Sequence, residues 1–193
     1  MDYTGLKAKV ELMIKKERFI HSLGVAETAL YLARRFGIDE NKALCAGIYH
    51  DAYRYRADEK AVTELESNGF VIEPEEKAEP MLLHGALSAL HFDEDAGEEV
   101  PADMKAAVRH HTLGSVGMGR LGAVIYIADY MEPGRKHLSE EDRLNILEKG
   151  TLEEMVISVL ERERPYLEST KAGMAGVSER LCAFLASGGK FEG

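Results

Sequence analysis

Apolar residues recur every three to four positions along most of this chain, and Gly and Pro, rather than alternating strand patterns, interrupt them. The first two such segments are predicted at Tyr3–Ile20 and His21–Phe36. This spacing is typical of helices that bury one face. Gly37 follows the second segment and indicates its end. The best strand signal, Val71-Ile72, is too short to build a sheet. The pattern therefore predicts an all-α fold.

The remaining sequence predicts further helices separated by short connections. Their approximate ranges are 41–53, 57–68, 81–92, 101–111, 120–131, a helix opening at 139, 151–164 and 175–186. Residues 73–80 are predicted to form a loop, and the acidic residues 93–99 a solvent-exposed turn. A chain of 193 residues is of single-domain length. We therefore expect one helical bundle spanning residues 1–193.

Charge and composition exclude several function classes. The net charge of −10 argues against nucleic-acid binding, which relies on a basic surface. No apolar run approaches the roughly 20 residues that span a bilayer, and the N-terminal residues lack a signal-peptide pattern. Cys45 and Cys182 lie far apart and are expected to be reduced thiols. These features predict a cytoplasmic protein without a membrane partner.

Four histidines and two aspartates are spaced by about one helix plus a loop. A helical bundle can bring such residues from different helices to one point. Imidazole and carboxylate donors suit Fe, Mn, Zn or Co. Six protein ligands exceed what one catalytic ion uses, because a position must stay open for water or substrate. Two ions that share Asp51 would use all six side chains. The six are His21, His50, Asp51, His84, His111 and Asp129.

Each of these residues also has a purely structural interpretation. A single histidine in a helix is more often packed or exposed than a ligand, and Asp51 alone suits a helix end. Asp129 follows the apolar residues 124–128 and is predicted to lie near the core. A buried carboxylate needs a partner or a metal to stay charged. The spacing alone therefore leaves both interpretations open.

The order His21…His50-Asp51…Asp129 resembles the H…HD…D pattern of the HD-domain metal-dependent phosphohydrolase superfamily. Over roughly residues 10–140, longer segments resemble its YqeK-type family. These segments are 21–29, 46–51, 83–85, 111–114 and 125–135. The residues from 141 to 193 form a predicted helical tail, which matches poorly from about Leu152 onward.

This resemblance implies a single all-helical HD domain that holds two divalent or mixed-valence metal ions, most commonly iron. It implies symmetric cleavage of diadenosine tetraphosphate to two ADP. By resemblance, all six side chains are metal ligands, and His50 and Asp51 are catalytic. The resemblance is also compatible with a homodimer.

Three arginines are candidates for phosphate contact: Arg54, Arg109 and Arg135. Arg54 stands where the family pattern has a lysine, and a guanidinium suits two-pronged phosphate contacts. Their structural alternatives are a solvated charge for Arg54 and a contact to helix-end carbonyls for Arg135. Thr28 and Thr112 are candidate donors behind the ligands, although Thr28 can also bond within its own helix. His110 is predicted not to be a ligand.

Two other functions stay open at this point. The chain can be another HD-type nucleotide phosphohydrolase, acting on nucleoside monophosphates, deoxynucleoside triphosphates or guanosine alarmones. It can also be a metal-stabilised regulator that binds nucleotides without turnover. Segments 83–85 and 111–112 favour the dinucleoside tetraphosphate hydrolase.

Overall fold

The computed structural model describes residues 1–169 and 173–192, and over these residues the chain is helical, without a strand. The predicted all-α class is therefore confirmed. Two short 3-10 turns, Pro80–Leu83 and Val116–Met118, accompany eleven α-helices in this described part. The helices are α1 (Tyr3–Met13), α2 (Lys16–Phe36), α3 (Glu40–Tyr49), α4 (Glu59–Ser67), α5 (Pro74–Ala78), α6 (His84–Ala96), α7 (Ala102–His110), α8 (Gly119–Met131), α9 (Glu140–Leu147), α10 (Leu152–Ser169) and α11 (Gly176–Ala186).

Helix α8 lies at the centre of the bundle. Residues 121–128 are buried on every side of it, and α2, α3, α7 and α10 pack against it. A helix that is apolar all around has no face to offer to water, so it is stable only inside the bundle. This placement carries Asp129, near the end of α8, into the region where the other helices meet.

The first predicted helix boundary is wrong. The chain turns at Ile14 and Lys15, which have extended backbone, instead of continuing to Ile20. Apolar periodicity does not reveal this turn because Val10 and Phe19, on either side of it, are both buried. As a result, one helix of 21 residues, α2, begins at Lys16. It therefore carries residues 18 and 21 on consecutive turns.

The acidic segment 93–99 is also not a simple exposed turn. Helix α6 continues to Ala96 and takes Asp95 into a nearly buried position. The hydroxyls of Tyr49 and Tyr53 donate to Asp95 Oδ2 at 2.6 and 3.1 Å, and Lys9 Nζ lies 2.8 Å from Oδ1. The carboxylate is retained in this position because three donors replace its water shell.

The predicted loop 73–80 contains a short helix, α5. Pro74 occupies its first turn, and Glu73 and Glu76 cap it reciprocally. The Glu76 side chain is buried. Elsewhere, Asp39 caps α3 as expected, accepting from the Lys42 amide at 2.9 Å. No helix in the described residues is both long enough and apolar enough to cross a membrane.

Candidate metal centre

The six predicted ligand side chains converge in the interior of the bundle. In three overlapping groups, nitrogen and oxygen donor atoms lie within 4.8 Å of one another. Of the six positions, one lies inside a helix, one begins a helix, two lie at or near helix ends, and two follow a helix end. They are His21 in α2, His50 at the end of α3, Asp51 directly after it, His84 at the start of α6, His111 after α7 and Asp129 near the end of α8.

Three of the histidines are oriented in the same way. In each, ring atom Nδ1 lies next to the backbone carbonyl three residues earlier in the chain, which is an acceptor. Nδ1 therefore carries the proton, and Nε2 presents its lone pair to the shared centre. The pairs are His50 with Gly47 at 2.7 Å, His84 with Met81 at 2.5 Å and His111 with Val108 at 2.8 Å.

His21 obtains the same orientation from a side chain. Its Nδ1 lies 3.1 Å from Glu132 Oε1, and the Gly134 amide donates to the other carboxylate oxygen at 2.5 Å. Gly24 makes room for this carboxylate, since a Cβ there would stand 2.6 Å from Glu132 Oε2. A carboxylate behind a ligating imidazole fixes its tautomer and strengthens it as a donor.

The Nε2 atoms of two of these histidines face each other at the centre. His84 Nε2 and His111 Nε2 are 3.0 Å apart. Burial, together with His50 and His84, lowers the pKa of His111 to about 3, so this imidazole is neutral near pH 7. Two lone pairs at this separation repel each other unless a cation lies beside them. The donor set therefore fits a metal ion.

Three further donor atoms support the same conclusion. His21 Nε2, His50 Nε2 and Asp51 Oδ1 are buried, and none has a hydrogen-bond partner among the described residues. An unpaired buried polar atom is costly, and coordination to a cation removes that cost.

Asp51 stands between two sets of imidazoles. Its Oδ1 lies 3.0 Å from His84 Nε2 and 3.8 Å from His111 Nε2. Its Oδ2 lies 3.4 Å from His50 Nε2 and 3.7 Å from His21 Nε2. Burial raises the pKa of Asp51, but His50 and His84 outweigh it and hold this pKa well below its usual range. Each oxygen of one carboxylate thus faces a different pair of nitrogens.

Asp129 completes the side of the centre near His21. Its Oδ1 lies 3.0 Å from His21 Nε2 and 3.9 Å from His50 Nε2. Burial raises the pKa of Asp129, whereas His21, His50 and Arg135 lower it, and the balance lies well below the usual range. Both aspartates are therefore ionised, as metal ligands must be.

The structure brings two of the three predicted arginines to this centre. Arg54 Nη1 lies 3.3 Å from His84 Nε2 and 3.6 Å from Asp51 Oδ1. Arg135 donates from Nη2 to the Asp129 carboxylate and from Nε to the Asp129 carbonyl at 2.7 Å. Both side chains are partly exposed, so they stand at the edge of the centre.

Arg109 is not brought to the ligands. Its guanidinium forms a two-pronged ion pair with the buried Glu76 at 2.6 and 2.8 Å. Glu76, which lies 33 residues earlier in the chain, therefore occupies the guanidinium that was predicted to bind phosphate. His110, next to it, is outside the ligand groups, and burial lowers its pKa to about 4.

Arg18 is a site residue that the sequence pattern did not single out. Its Nη1 donates to Asp51 Oδ2 at 2.9 Å. Because it precedes His21 by three residues in α2, both side chains lie on one helix face. The three-residue spacing could have indicated that Arg18 lies beside His21. It does so only if both residues belong to one helix, and the sequence predicted a helix boundary between Ile20 and His21.

The two threonines behave differently. Thr28 donates to the Gly24 carbonyl at 2.8 Å, which is the bond within its own helix. Thr112 Oγ1 lies 3.2 Å from His111 Nε2 and 3.5 Å from His84 Nε2, beside the ligand atoms. Cys45 and Cys182 are both free thiols, as expected.

A protein-family comparison matches the HD domain model over residues 18–150. The chain belongs to the HD domain family. This match spans more than half of the chain and contains all six predicted ligands. The membership expected from the H…HD…D order is therefore confirmed.

Two curated relatives within this family share one name. The chain is 32% identical to the symmetrical bis(5'-nucleosyl)-tetraphosphatase of Bacillus subtilis, over 84% of this chain and 90% of that protein. It is 34% identical to the protein of the same name from Halalkalibacterium halodurans, over 64% of this chain and 65% of that protein. The predicted resemblance to the YqeK-type family agrees with both.

A solved structure shares the fold. It is described as a predicted HD superfamily hydrolase involved in NAD metabolism, from Clostridium acetobutylicum. The TM-score is 0.86 at 26% identity, and the match covers 97% of this chain and 98% of that one. The likeness extends over the helical tail, which the sequence motifs did not reach.

Proposed function

We propose that this HD-domain protein hydrolyses diadenosine tetraphosphate symmetrically to two ADP at a centre of two metal ions. The observation that carries the proposal is the orientation of four histidines, whose Nδ1 atoms are all held by oxygen acceptors. Their Nε2 atoms then share one buried space with the carboxylates of Asp51 and Asp129. The names of the curated relatives supply the substrate class.

The position of Asp51 supports two ions rather than one. Its two oxygens face different pairs of imidazoles, so Oδ1 belongs with His84 and His111, and Oδ2 with His21 and His50. Asp129 adds an oxygen to the second pair. This division suits a bridging carboxylate. Iron is the metal that the family resemblance predicts, and the nitrogen and oxygen donors also accept Mn, Co or Zn.

The metal pair would supply an activated water and Lewis-acid polarisation of the phosphate. Asp51 would fix the position of the His84–His111 pair relative to the His21–His50 pair. Arg18, Arg54 and Arg135 lie at its edge, where guanidinium groups stabilise charge on phosphoryl oxygens. Arg18 and Arg135 bond to Asp51 and Asp129, and part of their donor capacity would become free for phosphate oxygens if those carboxylates held metal ions.

The expected cleavage point follows from the substrate's symmetry. Breaking the central anhydride bond of a tetraphosphate leaves a nucleoside diphosphate on each side. ADP is a stable leaving group, so the reaction needs no dedicated acid, and we assign none. The two middle phosphates must therefore lie at the metal ions, with both nucleosides outside the metal centre.

The test is product analysis on metal-loaded protein with a panel of diadenosine tetraphosphate, nucleoside monophosphates, deoxynucleoside triphosphates and guanosine alarmones. We expect two ADP per tetraphosphate consumed, and loss of turnover in His50→Ala and Asp51→Ala that remain folded by circular dichroism. AMP plus ATP as products would contradict the symmetric cleavage. Preferred turnover of another substrate would favour a different HD phosphohydrolase. Nucleotide binding without turnover would favour a regulator. The homodimer and the cytoplasmic location stay predictions.

A further inference from the structure

A cavity of about 590 Å³ opens beside the metal centre, between α8 and α10. His111 and Asp129, two of the proposed ligands, line it together with Glu163 and Tyr166 of α10. Its volume lies within the roughly 300–1,000 Å³ of small-molecule sites. Helix α10 begins at Leu152, beyond the end of the HD-domain match at residue 150. We call this space the α10 cavity.

Other cavities suit a nucleotide less well. The space beside Arg109 and His110 measures about 290 Å³, slightly below that range. A larger space of about 730 Å³, beside Met118 and Phe184, is not lined by any proposed ligand. The α10 cavity combines sufficient volume with direct access to the metal-binding side chains.

The α10 cavity is lined with aromatic rings. Tyr166 is 72% exposed and Tyr130 is half-buried. His137 packs edge-on against the Tyr130 ring, with centroids 5.0 Å apart. Aromatic faces bind nucleobases by stacking and tolerate different bases. These residues therefore provide a surface for a base.

Glu163 provides a specific hydrogen-bond acceptor in the same cavity. The Tyr126 hydroxyl donates to its Oε2 at 3.0 Å, whereas Oε1 has no hydrogen bond to any described residue. The proposed hydrolysis does not use this carboxyl group. An acceptor beside aromatic rings can select a base that carries an amino group.

We propose that the α10 cavity binds one nucleoside of the dinucleotide, with the base stacked on Tyr166 and its exocyclic amino group donating to Glu163. The proposal rests on the proposed function, because the metal ions that His111 and Asp129 would ligate must bind the phosphates from which this nucleoside extends. It assigns base recognition to a helix outside the matched HD segment.

The stacking role is tested by equilibrium binding of ADP to the metal-loaded full chain. Tyr166→Ala is expected to weaken ADP binding by at least about tenfold. Tyr31→Ala is the matched control, since Tyr31 is 53% exposed and lines a different cavity. Its ADP affinity is expected to stay within twofold of the wild type. Unchanged ADP binding in Tyr166→Ala would overturn the proposal.

The role of Glu163 is tested with inosine diphosphate, which lacks the amino group. Wild-type protein is expected to bind ADP about tenfold more tightly than inosine diphosphate. Glu163→Met removes this preference, whereas Tyr126→Phe keeps it because the carboxyl group is still present. Circular dichroism would check that both variants are folded. A preference that persists in Glu163→Met would show that Glu163 does not recognise the base.

These binding measurements do not depend on turnover, so the two proposals fail separately. Wild-type protein that cleaves diadenosine tetraphosphate to ADP, with Tyr166→Ala indistinguishable from it, would refute the cavity assignment alone. Wild-type protein without turnover, in which ADP binding still depends on Tyr166 and Glu163, would refute the hydrolase and keep the nucleoside site.

Discussion

At the scale of single residues, the histidine tautomers decide what this centre can hold. His50 and His111 each donate from Nδ1 to a carbonyl three residues earlier, which frees Nε2 for a metal. The sequence predicted the six residues that converge here, because their types and their order in the chain can be read without any knowledge of geometry. It did not predict Glu132, which lies 111 residues from His21, since its role exists only after the fold forms.

Glu132→Gln tests the support of His21. The substitution keeps the size of the side chain but removes the negative charge beside His21 Nδ1. That charge strengthens His21 Nε2 as a metal ligand. We expect metal affinity to fall by roughly 10- to 100-fold, as for other partners of ligating histidines. Competition with a chelator of known affinity measures this. Glu11→Gln, at an exposed position of α1, is the control and should leave the affinity unchanged. Equal affinities in both variants would refute the role of Glu132.

At the scale of elements, close helix contacts bring the ligands within reach of one another. A Cβ on Gly47 would stand 2.7 Å from the Ala26 Cα, so glycine lets α3 approach α2. A Cβ on Gly85 would stand 2.9 Å from the Arg109 carbonyl, which indicates a similarly close contact of α6 with α7. The sequence predicted most of these helices from their periodicity. It missed the Ile14–Lys15 turn and the Arg109–Glu76 pair, because both depend on packing between distant segments.

Gly47→Ala should force α2 and α3 apart. The added methyl group meets backbone, which cannot rotate away, so we expect a loss of roughly 1–3 kcal/mol in the free energy of unfolding and weaker metal binding. Denaturant unfolding and metal titration measure the two effects. Gly117→Ala serves as the control, because a Cβ there would meet only the Ser115 hydroxyl, at an ordinary contact distance of 4.0 Å. A Gly47→Ala protein as stable as the wild type would contradict the proposed close approach.

Asp95 gives the bundle a defined pH dependence. Burial raises its pKa, but hydrogen bonds from Lys9, Tyr49 and Tyr53 outweigh this effect and lower it. The stabilisation is therefore complete above the unfolded pKa of about 3.9 and is lost as the pH falls through the lower folded value.

Asp95→Asn is expected to cost roughly 2 kcal/mol in the free energy of unfolding at pH 7. The difference from the wild type should shrink as the pH falls below about 4. Urea unfolding across this pH range measures it, with the exposed Glu99→Gln as control. A difference that does not change with pH would show that the Asp95 charge is not responsible.

At the scale of the whole molecule, the candidate metal centre draws on helices that are far apart in the sequence. The proposed ligands lie in or directly after α2, α3, α6, α7 and α8, so we expect metal binding and packing of the bundle to depend on each other. The sequence predicted one helical domain and its centre. The contribution of α10 could not be predicted, since motif spacing carries no information about which surface a distant helix covers.

Removal of the metal should lower the melting temperature. Without a cation, the facing nitrogens of His84 and His111 repel each other in a buried space. A ligand that binds only the folded chain adds about 2.7 kcal/mol of stability at 100 times its Kd. Differential scanning calorimetry before and after chelation, and again after metal is restored, measures the effect. An unchanged melting temperature would contradict a metal that links the helices.

Anomalous X-ray diffraction from crystals of the metal-loaded protein tests the two-ion centre most directly. The proposal predicts two peaks about 3.5–4 Å apart, with Asp51 between them, His84 and His111 on one ion, and His21, His50 and Asp129 on the other. A single peak, or two peaks that Asp51 does not bridge, would contradict it.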